Sequence, residues 1–289
     1  MHPDIQERLL QLNRTFYETV AEPFHFTRKG LAPGLFRLLN YFPEFSSSFH
    51  LADIGCGNGR FAHVIDQVLD ERYEEGVLKG ERGNGVYSIT EPDDQRAMGE
   101  YNARKPKASD VICHYVGADA NQPLMDYGAS NMDYLSHVQG TFRQINLGKS
   151  GWSETVGRVH PAFDIVTCLA TLHHMPGYQM RAAIFRELGS LLKPNGLLMI
   201  SCWQFFDSPK LVKKMVDWQE IGLSEADVEP GDGLVPWTQG VYAVRYAHQI
   251  SHDELVQLTD QANLNIVEEF RSDGRTDNLS RYAVMRKKE

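Results

Sequence analysis

The sequence predicts an α/β fold in which helices flank a doubly wound, seven-stranded sheet. Two observations support this prediction. Short apolar segments alternate along the chain with segments in which apolar residues recur at helical spacing. The first apolar segment also ends in a glycine-rich turn that leads directly into a helical segment. Sheets of this type bind ligands at the carboxyl ends of their central strands, so we expect the functional site there.

Helical spacing begins ahead of the first strand. Apolar residues recur at helical intervals between residues 5 and 41, and Pro23 and Pro33 interrupt the pattern. We therefore predict two or three helices in this part of the chain. Together they form an N-terminal helical cap that spans residues 1–48.

Seven segments have the length and apolar character of strands. Helices predicted at residues 60–69, 178–192 and 251–262 separate several of them, and the last helix begins with a capping box formed by Ser251 and Glu254. The predicted strands are residues 49–54, 111–117, 141–147, 163–169, 197–203, 265–271 and 282–286.

Two polar segments do not follow this alternation. Residues 71–110 are rich in Glu, Lys, Arg, Gly and Asp, which predicts an insertion before the second strand. Residues 204–248 contain a polar stretch with Gly, Pro and Trp, which we predict to be a second insertion on the substrate side. Because no internal repeat is found, we predict a single domain over residues 1–289.

Composition limits the classes of function. No run reaches the roughly eighteen consecutive apolar residues of a membrane helix, and the amino terminus lacks a secretory signal. We therefore expect a cytoplasmic protein without a membrane partner. The net charge of −9 argues against strong non-specific binding to nucleic acid, and we expect no DNA partner. The four cysteines lack the paired spacing of zinc or redox sites.

The glycine-rich turn has the pattern Asp-x-Gly-x-Gly-x-Gly over residues 53–59. A dinucleotide-binding turn would instead have Gly-x-Gly-x-x-Gly, with a helix terminus directed at pyrophosphate. Here the third glycine comes one residue earlier, and an aspartate precedes the first. Residues 51–61 therefore resemble motif I of the class I S-adenosylmethionine-dependent methyltransferases, which have a Rossmann-like sheet.

This resemblance implies that S-adenosylmethionine is the cofactor and S-adenosyl-L-homocysteine the product. It also implies that the turn holds the amino-acid end of the cofactor. The turn residues that it implicates are Asp53, Gly55, Cys56, Gly57, Asn58 and Gly59.

An acidic residue after the second strand supports the same interpretation, because the ribose hydroxyls of the cofactor need a carboxylate acceptor. Asp119 lies 62 residues after Gly57 (119 − 57), whereas an interval of about 20 is usual. The predicted insertion accounts for the surplus. A solvated turn aspartate is the alternative. Asp119 lies at the end of an apolar strand, and this position favours ribose binding. Ala120, the next residue, is also predicted to bind the cofactor.

Later strand ends offer further contacts. Methyltransferases of this class commonly place an aspartate after the third strand, where it accepts from the adenine amine. Here Asn146 offers an acceptor carbonyl, and the backbone N–H of Ile145 or Asn146 is the alternative. Leu169 ends the fourth strand and is predicted to line the floor. His173 and His174 follow it, but adjacent residues point in different directions and no third ligand is apparent, so we expect no metal.

Four segments outside the cofactor turn carry a more specific resemblance. Residues 17–28 have the pattern Tyr-x-x-x-Ala-x-x-Phe-x-x-Thr-Arg, and segments 202–203, 232–237 and 245–248 follow in order. These segments resemble the wobble-uridine tRNA methyltransferases, which esterify a carboxymethyl group on the wobble base, and a related domain fused to AlkB-type tRNA hydroxylases. The resemblance implies tRNA as the substrate and a small zinc-binding activator subunit as a partner.

A carboxylate acceptor needs no general base, because it is already ionised near neutral pH. It needs a cation that holds it, with hydrogen-bond donors nearby. The predicted catalytic residues are therefore Arg28, His173, His174, Arg245 and His248. Aromatic side chains can stack on a splayed-out base, and those predicted to do so are Trp203, Trp237 and Tyr246. Core packing is the alternative for both tryptophans, and a helix-end cation is the alternative for Arg28.

Two other functions fit the same residues. One is methylation of a small carboxylic acid or metabolite, and the other is a non-catalytic, cofactor-binding partner subunit. A basic rim around the cofactor cleft would favour RNA as the acceptor. A shallow and acidic pocket would favour a small molecule.

Overall fold

The structure is a computed structural model that describes residues 1–27, 32–42, 48–75 and 111–288. Arg28, one of the predicted catalytic residues, lies outside these ranges. Most of the predicted insertion, residues 76–110, lies outside them too. Its first five residues, 71–75, continue the helix that follows the glycine turn.

The helices lie on both faces of a central sheet. None of those within the described residues combines the length and the apolar character needed to cross a membrane. Their bounds are Pro3–Thr27 (α1), Pro33–Leu39 (α2), Arg60–Glu75 (α3), Gln122–Asn131 (α4), Trp152–Gly157 (α5), Tyr178–Ser190 (α6), Pro209–Val212 (α7) and His252–Gln261 (α8).

The described residues form one seven-stranded sheet and one two-stranded sheet. In the larger sheet the order is β3-β2-β1-β4-β5-β9-β8, and β1 to β5 run parallel while β9 is antiparallel to both of its neighbours. The strands are Phe49–Ile54 (β1), Cys113–Asp119 (β2), Val138–Gln144 (β3), Phe163–Leu169 (β4), Leu192–Trp203 (β5), Asp232–Trp237 (β6), Ala243–His248 (β7), Leu264–Ser272 (β8) and Ser280–Lys287 (β9).

This arrangement confirms the predicted doubly wound fold. The chain winds outward from β1 through β2 to β3, then returns to β4 on the other side of β1. The direction of winding therefore reverses between β1 and β4, and the carboxyl ends of these two strands flank the crevice where such sheets bind ligands.

Apolar side chains cover both faces of the sheet. Along β5, Leu198 belongs to the core beneath α6 and α8, whereas its neighbour Met199 belongs to the core beneath α2 and α3. Successive strand residues point to opposite faces, so a strand buried on both sides is apolar throughout. This is why the central strands were recognisable as continuous apolar segments.

Strands β6 and β7 form a separate antiparallel hairpin. The sequence predicts only a polar insertion over residues 204–248, so these strands correct that prediction. Leu9 of α1 packs against Leu234 and Tyr246 of the hairpin. The hairpin buries its apolar face against a helix from the opposite end of the chain, and local periodicity does not reveal such a partner.

Helix α1 continues through Pro23, which the sequence analysis treats as an interruption. Proline has no N–H and cannot donate to the carbonyl four residues earlier, which weakens a helix interior. Phe16 and Val20 of the preceding turns pack against Trp237 of the hairpin. We infer that this packing stabilises the helix despite the missing hydrogen bond.

Candidate cofactor and acceptor site

A cavity of about 820 Å³ opens at the carboxyl ends of β1, β2 and β4. It lies at the reversal point of the sheet, and α1 forms one of its walls. Ten of the eleven residues predicted to bind the cofactor line it: Asp53, Gly55, Cys56, Gly57, Asn58, Asp119, Ala120, Ile145, Asn146 and Leu169.

The turn after β1 has a backbone that only glycine adopts readily. Gly55 and Gly57 have φ angles of +75° and +54°, in the left-handed region that a Cβ disfavours. A Cβ placed on Gly57 would meet no atom within 4 Å, so this part of the turn exposes bare backbone to the cavity. Gly59 differs from the prediction, because it packs against Phe142 of β3 and lies outside the cavity lining.

Asp119 closes the turn from the end of β2. Its carboxylate accepts hydrogen bonds from the backbone N–H groups of Gly57 and Asn121, both at 2.8 Å. Burial raises the pKa of Asp119 above its usual value, against the effect of these hydrogen bonds. Each carboxylate oxygen has lone pairs beyond the one that a backbone N–H occupies, so Asp119 offers acceptors to a ligand diol in the cavity.

Asp53 lies deeper, at the end of β1, and is 2% exposed. Its carboxylate accepts hydrogen bonds from the hydroxyls of Thr167 and Tyr115, both at 2.7 Å. Burial raises the pKa of Asp53 to about 6. A carboxylate held in this way favours a cationic ligand, because a nearby positive charge stabilises its ionised form.

The segment after β3 carries the residues predicted to contact adenine. The N–H of Ile145 donates to the backbone carbonyl of Asp119 at 2.9 Å, so it does not fit the predicted contact to adenine. The side-chain carbonyl of Asn146 accepts from the N–H of Gly148 at 2.9 Å and retains a second lone pair. Asn146 therefore remains the candidate on this segment.

The opposite part of the cavity holds a buried cation. Arg245 of β7 is 4% exposed, and its guanidinium carbon lies 4.2 Å from the ring centroid of Trp203 and 4.9 Å from that of Phe16. Aromatic faces attract a guanidinium and hold it in place. The ring of His173 stacks on that of Trp203 with centroids 5.4 Å apart, and its Nδ1 accepts from the backbone N–H of Trp203 at 3.4 Å. Arg245, Trp203 and His173 all line the cavity.

His174 also lines the cavity, but both of its ring nitrogens are engaged. Nδ1 lies 3.0 Å from the carbonyl oxygen of Tyr246, which only accepts, so Nδ1 carries the proton. In the neutral ring, Nε2 then accepts from the hydroxyl of Tyr17 at 2.7 Å. His174 therefore does not fit the predicted role of a hydrogen-bond donor to the acceptor. Instead it holds Tyr17 at the cavity wall.

Asn13 is a site residue that the sequence analysis missed. It lines the cavity from α1, and its side chain donates to the carbonyls of His174 and Tyr246 and accepts from the Tyr246 N–H at 2.8 Å. These bonds tie α1 to β7 beside Arg245. A signal was present, because Asn13 lies on the same helical face as the apolar residues Leu9 and Phe16, where an amide is unusual.

Three of the residues predicted to act on the methyl acceptor, Trp237, Tyr246 and His248, lie outside the cavity lining. Tyr246 is fully buried and donates to Asp232 at 2.7 Å, and Trp237 is 9% exposed and donates to the Gln239 carbonyl at 2.8 Å. Neither ring has a free face for a base, so base stacking does not fit their positions. Trp203 alone of the three predicted stacking residues lines the cavity. His248, the last residue of β7, also lies outside the cavity lining.

His248 belongs to a buried network of charges. Nδ1 lies 2.6 Å from Asp232 and Nε2 lies 2.7 Å from Glu254. Because carboxylates only accept, both nitrogens must donate and the ring is an imidazolium. Burial lowers the pKa of His248, but the two carboxylate hydrogen bonds outweigh it and the net shift is upward. Arg181, 1% exposed, pairs with Glu254 and Glu229 in the same network.

Among the described residues, Glu229, Asp232 and His248 are close enough together to hold a metal ion, with ligand atoms within 4.8 Å of one another. Protein groups already satisfy them. Arg181 donates to Glu229, and His248 and Tyr246 donate to Asp232. The imidazolium thus supplies the positive charge that a cation would bring, and the geometry is that of a structural ion network.

We predict that His248→Gln lowers the free energy of unfolding by about 3 to 5 kcal/mol at pH 6, because it leaves the buried carboxylate of Asp232 without its charged partner, while Glu254 keeps Arg181. Because the pKa of His248 is raised in the folded state, its protonation stabilises the fold fully at pH values below about 6.5, the pKa of the ring in the unfolded chain. That contribution is lost as the pH rises through the folded value. The difference in the free energy of unfolding between the variant and the wild type should therefore shrink in alkaline solution. Denaturant titrations at several pH values measure this difference.

His252→Gln is the matched control, because His252 pairs with Glu269 at 2.7 Å but its side chain is 60% exposed. This substitution should change the free energy of unfolding by less than about 1 kcal/mol. A His248→Gln destabilisation that is equally large at every pH would contradict the imidazolium assignment.

The comparisons with known proteins agree with this geometry. A family model described as a methyltransferase domain matches residues 25–269. The chain belongs to this methyltransferase family. No curated protein matches the sequence. The enzyme is thus a class I methyltransferase with S-adenosylmethionine as its cofactor, and the exposed glycine backbone and buried carboxylates of the cavity fit that group.

Solved structures show the same fold at low identity. An S-adenosylmethionine-dependent methyltransferase from Methanosarcina mazei is 17% identical, covering 90% of this chain and 99% of its own, with a TM-score of 0.57. The 1,6-didemethyltoxoflavin-N1-methyltransferase of Burkholderia thailandensis, solved with S-adenosylhomocysteine, is 12% identical. It covers 98% of this chain and 91% of its own, with a TM-score of 0.54. At these identities the likeness concerns the fold.

The raised pKa of Asp53 predicts that cofactor affinity depends on pH. The cofactor carries a net positive charge and favours the ionised carboxylate, so binding at low pH must first remove a proton from Asp53. Because the pKa of Asp53 is about 6, the dissociation constant of the cofactor should rise as the pH falls below 6. The rise should be up to about tenfold per pH unit. Calorimetric titrations between pH 5 and pH 8 test this. In Asp53→Asn the dependence should flatten, and a wild-type affinity that is independent of pH would contradict the prediction.

Proposed function

We propose that this methyltransferase esterifies a carboxylate, and that the acceptor is the carboxymethyl group of a modified wobble uridine in tRNA. The observation that carries the proposal is Arg245, a buried guanidinium in the same cavity as the cofactor turn. A guanidinium presents paired N–H donors that match a carboxylate, and a buried one binds it strongly because little water competes.

The chemistry needs no base. When bound, S-adenosylmethionine supplies an electrophilic methyl group on a sulfonium. A carboxylate oxygen forms the new bond to the methyl carbon as the carbon–sulfur bond breaks, so that an ester and S-adenosylhomocysteine result and no proton moves. This agrees with His174, whose two ring nitrogens both bond to protein groups, and with His173, whose Nδ1 accepts from the backbone N–H of Trp203. The part of the protein is to hold the carboxylate in line and to exclude water.

Cofactor contacts follow from the same cavity. We propose that the turn from Asp53 to Gly57 takes the amino-acid end, that Asp119 and Ala120 take the ribose, and that Asn146 accepts from the adenine amine. Asp119 is suited to its part because two backbone N–H groups orient its carboxylate. Leu169 contributes an apolar wall.

The segments that resemble the wobble-uridine enzymes support the acceptor, because they gather around this cavity. Tyr17 and Trp203 line it, and β7 brings Arg245 between Phe16 and Trp203. Three of the four segments thus contribute to one wall, and the fourth, residues 232–237, pairs with the strand that carries Arg245. In this proposal Trp203 is the remaining candidate for stacking on the base.

A second candidate is a small carboxylic acid. It is favoured by the charge of the cavity, whose described lining holds as many acidic as basic residues: Glu7, Glu18, Asp53 and Asp119 against Arg14, Arg60, Lys149 and Arg245. A lining with no excess of positive charge gives no general attraction for a polyanion. Arg245 would hold a small carboxylate in the same way.

The molecule that takes up the label distinguishes these two acceptors, and the lability of the product in alkali tests carboxylate methylation. Purified protein, with and without a small zinc-binding activator subunit, is incubated with methyl-labelled S-adenosylmethionine and either tRNA carrying carboxymethyluridine or a panel of small carboxylic acids. We expect label in tRNA that mild alkali releases as methanol, because an ester hydrolyses and an N-methyl group does not. Alkali-stable label would overturn carboxylate methylation, and label only in a small acid would overturn the tRNA acceptor. If calorimetry shows cofactor binding but no acceptor is labelled, the protein is a cofactor-binding partner.

A further inference from the structure

A basic segment follows the strand that carries Trp203. Residues 208–216 read Ser-Pro-Lys-Leu-Val-Lys-Lys-Met-Val, with three lysines and no acidic residue, in a chain whose net charge is −9. Lys210, Lys213 and Lys214 are all exposed. Within the described part of the chain, the ion pairs and side-chain hydrogen bonds involve none of these three lysines. Their positive charges are thus available to a ligand.

The segment is attached to the wall of the cavity. Leu211 and Met215 pack with Trp203 into one apolar cluster, which also contains Phe205 of the connecting turn. The N–H of Val216 donates to the Leu234 carbonyl of β6 at 3.0 Å, which ties the segment to the hairpin. The lysines therefore lie on the solvent side of a segment whose apolar side packs against the same cluster as Trp203.

Two exposed apolar side chains accompany the lysines. Phe206 is 39% exposed and Val212 is 42% exposed. Two acidic residues flank the segment, Asp207 and Asp217. Asp207 is paired with Arg271 at 2.7 Å, which reduces its repulsion of an anion, and the exposed Asp217 accepts from the Gln219 N–H at 2.8 Å. Ammonium groups with exposed apolar and aromatic surface suit a ligand that has both phosphates and stacked bases.

We propose that Lys210, Lys213 and Lys214 form a surface that binds the phosphate backbone of an RNA whose modified base enters the cavity. This inference rests on the proposed function and gives it an electrostatic basis. The cavity itself has balanced charge, so attraction for a polyanion must come from its surroundings. A small carboxylate held by Arg245 has no use for three further cations outside the cavity.

The test measures tRNA affinity against salt. The probe is a tRNA transcript with an unmodified wobble uridine, and the variant is Lys210→Glu with Lys213→Glu and Lys214→Glu. We expect the variant to bind about tenfold or more weakly near 0.1 M salt. The slope of log affinity against log salt should become shallower by about two, because each phosphate contact contributes about 0.7 to 0.9.

A matched control changes the same charge elsewhere. Arg158, Arg186 and Arg286 are exposed and lie outside the cavity lining, beside α5, on α6 and on β9. Changing all three to glutamate should weaken tRNA binding much less. Heat unfolding and cofactor calorimetry show whether each variant is folded.

The outcomes separate this inference from the proposed function. If wild type methylates tRNA but the lysine variant keeps its affinity and salt slope, the lysine surface is overturned while the acceptor stands. If wild type labels only a small acid and does not bind the transcript, the acceptor is overturned and the surface with it. Loss of binding to vesicles of anionic phospholipid, with tRNA binding unchanged, would assign the lysines to a membrane surface and overturn the inference.

Discussion

Arg245→Met is expected to lower kcat/KM for the carboxylate acceptor by about 10³-fold. Removing one partner of a buried, hydrogen-bonded charge pair costs about 2 to 5 kcal/mol, and about 4 kcal/mol corresponds to three powers of ten. Methionine is apolar and of similar length, so it can occupy the space between Phe16 and Trp203. The fold should therefore be retained, and melting temperature and cofactor calorimetry check this. Initial rates over a range of acceptor concentrations give the effect.

Arg245→Lys is the conservative comparison. It keeps the charge but loses the planar pair of donors and the stacking between two rings, so we expect a partial loss. If Arg245→Met retains wild-type kcat/KM while cofactor binding is intact, Arg245 does not hold the acceptor. The carboxylate mechanism would then lose its main support.

Asp119→Asn is expected to weaken cofactor binding by about 100-fold or more. The amide cannot present two acceptor atoms, so either the Gly57 N–H or the Asn121 N–H loses its partner. A buried donor left unsatisfied costs about 1 to 3 kcal/mol, and the lost charge weakens the contact to the ribose hydroxyls further. Calorimetric titration with S-adenosylmethionine measures the change.

Asp126→Asn is the control for that variant. Asp126 lies seven residues further on, on α4, where it is exposed and accepts only from Gln122 within the described residues. We expect its cofactor affinity to equal that of the wild type. An Asp119→Asn protein that binds the cofactor as tightly as this control would show that Asp119 does not contact the ribose.

Most of the residues predicted to bind the cofactor line the cavity, and local sequence patterns were sufficient to identify them. The turn over residues 53–59 is contiguous, and its function depends on backbone conformations that glycine spacing reports directly. Asp119 was recognisable because it follows an apolar strand, even though an insertion separates it from the turn. The exception is Gly59, which has the expected φ angle of +69° but packs against β3 rather than facing the cavity.

Only some of the residues predicted to act on the methyl acceptor line the cavity. Arg245 and Trp203 were identified as residues, but their contact depends on α1, β5 and β7 meeting in space. Tyr246 and His248 have the chemistry of site residues, yet both bond to Asp232 within the hairpin and lie outside the cavity lining. The residue type indicates which chemistry a side chain can perform. The residues that pack against the side chain and bond to it decide whether it reaches a ligand.

The sequence by itself determined the strand segments of the large sheet, the glycine-rich turn and the carboxylate at the end of β2, because each is encoded within a few adjacent residues. Only the tertiary structure decided which polar residues face the cavity. Asn13, His174 and Tyr246 satisfy one another's backbone and side-chain groups across the chain, so their roles follow from contacts between segments that no local pattern records.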